Sequence, residues 1–136
     1  MEKVLQLHEF TTFRIGGAPR LYFHPASESG LRDALAICRE QGVPWRILGG
    51  GSNLLVEDGG VDGLVLSLER LSGVEAVEEG DEEEGIVVLR VGGGKNLPRL
   101  VVETVRDGLG GLEHLGGIPA SVGGAVVMNA GGAFGE

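Results

Sequence analysis

The residues best placed to do chemistry carry no charge: Gly49-Gly50-Gly51-Ser52-Asn53. Three consecutive glycines leave the backbone bare. Successive N–H groups can then converge into a concave nest for an anion such as a phosphate or diphosphate. Ser52 and Asn53 add a hydroxyl and a carboxamide, both able to hydrogen-bond phosphate oxygens. A side chain on Gly51 is expected to fill that nest. An empty glycine hairpin or bulge is the competing reading, and the triplet alone leaves both open.

A second triplet, Gly92-Gly93-Gly94-Lys95-Asn96-Leu97, repeats the shape. Neither triplet completes a known nucleotide motif. Leu54 and Leu97 stand where Gly-x-Gly-x-x-Gly needs its last glycine. Lys95 is followed by Asn96, not by the Ser or Thr of a P-loop. Neither Ser52 nor Ser121 sits in the Gly-x-Ser-x-Gly of a hydrolase nucleophile elbow. Cys38 is the single cysteine, so an internal disulfide and a cysteine zinc site are excluded. His114 has no second ligand at metal spacing and reads as structural. The six carboxylates between Glu78 and Glu84 lack the alternation of a calcium loop and read as a solvated tip, with no metal.

The 136 residues suffice for one domain with a real core. A net charge of −9 argues against nucleic acid, which is held largely by Lys and Arg on phosphates. A phosphorylated small molecule stays compatible, because backbone N–H groups supply positive potential locally. Met1 to Val4 lack the start of a signal peptide, and no apolar run has the length of a membrane span; the expected location is cytoplasmic.

The elements that must position these residues follow from periodicity and punctuation. Thr11 to Pro25 reads as an extended segment, a turn at Gly16-Gly17 and a strand stopped by Pro25. Ser27 caps a helix to about Gln41, with Leu31, Ala34, Leu35 and Cys38 on its buried face and Gly42 at its end. Strands are expected at 45–48, 53–56 and 61–68, giving a mixed β-α-β-β-β unit. Val74–Val77 and Ile86–Val91 form a hairpin around the acidic tip. Asn96 caps a further helix with Pro98 in its first turn and a stripe of Leu97, Leu100, Val101 and Val105, closed by Gly108. From Gly110 onward glycine, alanine and serine predominate. Such a stretch lets backbone closely approach another segment or a flat ligand.

Taken in order, four blocks resemble the UDP-N-acetylenolpyruvoylglucosamine reductase (UDP-N-acetylmuramate dehydrogenase) family of peptidoglycan-precursor and cell-wall synthesis. They are Thr12-Phe13-Arg14-Ile15-Gly16-Gly17, Leu48 to Val56, Val91-Gly92-Gly93-Gly94, and Gly111 to Ala125 with Asn129-Ala130-Gly131. The resemblance implies an α+β fold of the vanillyl-alcohol-oxidase (PCMH) type, two mixed subdomains with FAD between them. It implies subdomain 1 at residues 1–68 and the first part of subdomain 2 at 69–136. Gly49, Gly50, Gly51, Ser52, Asn53 and Leu54 would hold the FAD diphosphate. Gly117, Ile118, Pro119, Ala120, Ser121, Gly123, Gly124 and Asn129 would line the rest of the flavin.

The related enzymes are cytoplasmic oxidoreductases that use NADPH and FAD to reduce UDP-N-acetylglucosamine enolpyruvate. The family's catalytic residues and substrate domain would lie beyond Glu136, so the resemblance implies an N-terminal piece, inactive alone. A catalytically inactive flavin-binding fragment and another oxidoreductase of the same FAD group are the alternatives. Two local departures stand out. Ala120 replaces a glycine, which would be strained at positive φ, and the aromatic after Asn129 is shifted to Phe134.

Overall fold

The computed structural model describes residues 5–77 and 85–131. The acidic tip at Glu78 to Glu84 and the shifted aromatic at Phe134 lie outside these residues. The chain divides into two compact units, Met1–Leu71 and Ser72–Glu136.

The first unit is built on a three-stranded parallel sheet. Strand β1 (Pro19–Phe23) and strand β2 (Trp45–Leu48) flank β3 (Val61–Ser67) on either side. In register, Tyr22 faces Val65, and so does Arg46 from the other side. The central strand is buried from Gly63 to Ser67, as a strand covered on both faces must be. Leu64 and Leu66 point to helix α1 (Glu28–Gln41), where they pack with Cys38, Leu31, Ala34 and Leu35. Val65 points the other way and packs with Leu48, Leu7, Phe10, Leu54 and Val56.

The caps of α1 match the sequence reading. The Ser27 hydroxyl accepts from the Gly30 amide, and Gly42 closes the helix in the left-handed region at φ 65°. Cys38 is a core residue, 4% exposed.

Two expectations fail in this unit. Residues 53–56 form no strand, so the sheet is purely parallel, not mixed. Residues 49–60 instead cross from the end of β2 to the start of β3, and parallel strands need a crossover of about this length. The turn near the N-terminus also falls at Thr11–Arg14, where the Arg14 amide donates to the Thr11 carbonyl, and not at Gly16-Gly17. Those glycines are occupied elsewhere: their carbonyls accept from His8 and Leu7, and the Gly17 amide donates to Glu57.

In the second unit β4 (Val74–Val77) and β5 (Val88–Val91) pair antiparallel, as the hairpin reading expects. Helix α2 (Leu97–Arg106) starts under the Asn96 side chain, which accepts from the Arg99 amide. Its buried stripe is Leu97, Leu100, Val101 and Thr104, so Val105 is corrected to a half-exposed position. Thr104 completes the i, i+3, i+4, i+7 set. Its hydroxyl donates to the Val101 carbonyl, which lets a polar side chain be buried without an orphan group. A short helix, α3 (Val122–Val127), follows Ser121 and packs Val122 and Ala125 on α2.

Candidate functional site

The crossover at 49–60 is fastened to the N-terminal segment along its length. The Thr12 amide donates to the Gly51 carbonyl at 3.0 Å, Gly17 to Glu57 at 3.0 Å, and Val61 to Ala18 at 3.1 Å. Gly51 is buried with φ 68°, and a Cβ there would fall 1.8 Å from the Phe10 carbonyl oxygen. A side chain on Gly51 would therefore strike the brace beneath the turn. The expectation that it would fill the nest is corrected.

What the turn leaves open is its N–H groups. None of the backbone amides of Gly49, Gly50, Gly51, Ser52 and Asn53 donates to an acceptor among the described residues. Gly49, Gly50 and Asn53 are exposed, Ser52 is half-buried, and Leu54 turns inward onto the Leu7–Leu48–Val65 cluster. A run of five such donors, with a hydroxyl and a carboxamide beside them, has the chemistry to hold phosphate oxygens. Phe10, Thr11 and Thr12, which set this turn, are not among the residues expected at the site. Their signal is the Thr-Thr pair ahead of Phe13: Thr11 is buried, and its hydroxyl donates to the Ile15 carbonyl.

The second triplet does not repeat the cradle. Gly92 donates to Gly73, the Gly93 carbonyl accepts from Gly123 at 2.9 Å, and Lys95 donates to Gly92. Val122 and Leu97 donate to the carbonyls of Lys95 and Ala120. The small residues here let two stretches of backbone meet. A Cβ on Gly123 would lie 3.0 Å from the Gly93 carbonyl oxygen.

The remaining expected site residues are distributed around this contact. Ser121 is buried and caps α3 by accepting from the Gly124 amide. Ile118 packs on the α2 core, while Gly117 and Pro119 are exposed. Ala120 does not have a positive φ, so alanine there carries no strain. Asn129 holds φ 47° and ends α3, with its own amide donating to Val126 and the Ala130 amide to Ala125. That is the double bond of a helix C-cap. The expected residues thus fall into two groups, 49–54 in the first unit and 117–129 in the second.

Lys95, its side chain only 13% exposed, pairs with Glu103, which also accepts from Arg99 Nε at 2.9 Å. The Lys95 hydrogen bond, then that of Arg99, holds the Glu103 carboxyl below its ordinary pKa. Glu113 is held low by its own backbone amide and that of Gly111. An open apolar groove of about 820 Å³ lies within the second unit, between β5, α2 and α3. Of the expected site residues only Asn129 lines it. No helix among the described residues is long and apolar enough to cross a membrane, and none of their His, Cys, Asp and Glu side chains gather into a metal-holding group.

The fold is that of the PCMH-type flavin-binding class. Cholesterol oxidase from B. sterolicum, at 22% identity and a TM-score of 0.62, shares it over 82% of this chain and 21% of its own. The FAD binding domain family matches residues 19–136, and the chain belongs to that family, whose cofactor is FAD. It is similar to UDP-N-acetylenolpyruvylglucosamine reductase from Thermus caldophilus, with 39% identity and a TM-score of 0.70 over 97% of this chain and 43% of that one. It is 46% identical over 121 residues to UDP-N-acetylenolpyruvoylglucosamine reductase of Anoxybacillus flavithermus, covering 89% of this chain and 38% of the relative. The reductase of Syntrophobacter fumaroxidans is 49% identical over 125 residues, covering 92% of this chain and 36% of the relative. The chain therefore spans under half the length of these relatives.

Proposed function

We propose that this chain is the flavin-holding part of a UDP-N-acetylenolpyruvoylglucosamine reductase, an FAD-dependent oxidoreductase using NADPH on UDP-N-acetylglucosamine enolpyruvate. The observation that carries the reading is the row of five amides from Gly49 to Asn53 with no acceptor among the described residues. The similarity to reductases at 39–49% identity supports the substrate class.

In this reading Gly49, Gly50 and Gly51 present N–H groups to the diphosphate oxygens, and Ser52 and Asn53 add side-chain donors. Leu54 anchors the far end of the turn in the core. Thr12 and Phe10 hold Gly51 in place, so the donors are oriented before the ligand arrives and little ordering cost remains on binding. In the second unit, Gly117, Pro119 and Ala120 are exposed or half-exposed and would face the remainder of the cofactor, Ile118 anchors them on the α2 core, and Ser121, Gly123, Gly124 and Asn129 set their backbone. Bound there, FAD would supply two-electron redox chemistry, and the chain's own part is binding and orientation. No residue of this chain is assigned to proton transfer.

Titration of the chain with FAD, followed by backbone amide resonances, tests this. The resonances of Gly49 to Asn53 should move most within the first unit, with those of Gly92 to Lys95 little changed. Resonances at 49–53 that stay fixed at saturating FAD would sink the proposal.

A further inference from the structure

We propose that Arg14 is the charged partner of the anion held at Gly49–Asn53, and that it ranks a diphosphate-bearing flavin above a flavin without one. This rests on the cradle reading above. Three observations lead to it.

The first is backbone conformation. Among the described residues only Arg14 and Asn129 are non-glycine residues with positive φ, Arg14 at 57°. Asparagine visits that region readily, whereas arginine does not. Glycine would serve the turn with less strain, and residues kept in such conformations point to use of the side chain.

The second is placement. The Arg14 amide donates to the Thr11 carbonyl, and Thr12, inside that turn, donates to the Gly51 carbonyl at 3.0 Å. Arg14 is two residues from Thr12, at most about 7 Å along the chain. Arg14 thus stands on the turn that is bonded directly to the cradle.

The third is charge. The Arg14 side chain is exposed and, like those of Arg39, Arg70 and Arg106, has no hydrogen-bond or ion-pair partner among the described residues, whereas Arg20, Arg32, Arg90 and Arg99 are paired with acids. The cradle residues are neutral and the chain carries −9 overall, so a guanidinium beside the turn would add to the positive potential that the backbone N–H groups supply. A guanidinium binds phosphate oxygens through two parallel N–H bonds, a match that the lysine ammonium lacks.

The test compares the wild-type chain with Arg14→Gly and Arg14→Lys. Binding of FAD, ADP and riboflavin is measured at low and high salt, with amide resonances recorded and thermal unfolding run without ligand. Arg14→Gly is expected to weaken FAD and ADP by about tenfold or more at low salt. Riboflavin affinity should not change, and the melting temperature should hold or rise. Arg14→Lys should recover part of the loss, and the difference should shrink as salt screens it. Wild-type affinity in Arg14→Gly, with the usual shifts at Gly49–Asn53, overturns the role of Arg14 and leaves the cradle standing. Weaker binding with a lowered melting temperature overturns it too, by making Arg14 structural. No shifts at 49–53 in the wild-type chain overturn both readings.

Discussion

Phe10 and Gly51 are packed backbone against backbone, with the Phe10 carbonyl oxygen occupying the place where a Gly51 Cβ would stand, 1.8 Å away. Gly51→Ala must both enter the left-handed region and push that carbonyl aside. The two costs together are about 2 kcal/mol or more. Gly42 is the control, since it has positive φ but nothing within 4 Å of its Cβ position. Gly42→Ala should cost about 1 kcal/mol. Denaturant unfolding of the two variants checks the order. Equal midpoints would mean the Phe10 contact does not constrain the turn.

Asn129 is both an expected site residue and the left-handed residue that follows the Met128 C-cap of α3. Asn129→Gly should keep the helix end, with a change below about 0.5 kcal/mol, and Asn129→Ala should lose about 1 kcal/mol. Comparing FAD affinity in the glycine variant then isolates the carboxamide. A loss there, at unchanged stability, would mark it as a contact to the cofactor.

The elements with local punctuation were legible. Ser27 and Gly42 bound α1, Asn96 and Pro98 start α2, and each cap bond forms. Residues 53–56 were misread because their side chains do alternate: Leu54 and Val56 pack inward while Leu55 is 75% exposed. Alternation reports which way side chains point, and only a neighbouring ladder makes a strand. The order β1-β3-β2 had no local signal at all, since it depends on where a long crossover delivers the chain. Helix α3 was missed because Gly123 and Gly124 depress its propensity, although Ser121 offered the cap. For the site, the glycine triplet at 49–51 was visible in the sequence. Its brace at Phe10 and Thr12, some forty residues earlier, was not.

The Gly93–Gly123 contact predicts that the second unit is intolerant of bulk at this point. Gly123→Val would drive two methyl groups towards backbone that already lies 3.0 Å from the Cβ position. The N–H to Gly93 bond at 2.9 Å would be lost with it. The expected cost is about 1–3 kcal/mol. Hydrogen exchange should show α2 and α3 losing protection together, with the first unit unchanged. Wild-type protection in α3 would mean that the two backbones can separate freely.

The pairing of Lys95 with Glu103 predicts an acid limb in stability. The Glu103 carboxyl is held below its ordinary value of 4.5 when folded, first by the Lys95 hydrogen bond and then by that of Arg99. Below 4.5 the unfolded chain takes up this proton before the folded one does. The stabilisation is therefore fully present above the unfolded pKa and is lost as pH falls through the lower folded value. Glu103→Gln removes the carboxylate at every pH and leaves the largely buried Lys95 ammonium without its charge partner. At pH 7 the variant should melt several degrees below the wild type. As the pH falls from 4.5 through the lower folded value the wild-type side chain becomes a neutral acid nearly isosteric with glutamine, so the two melting temperatures should converge. A gap that keeps the same size from pH 7 to pH 3 would show that the ion pair adds nothing beyond the shape of the side chain.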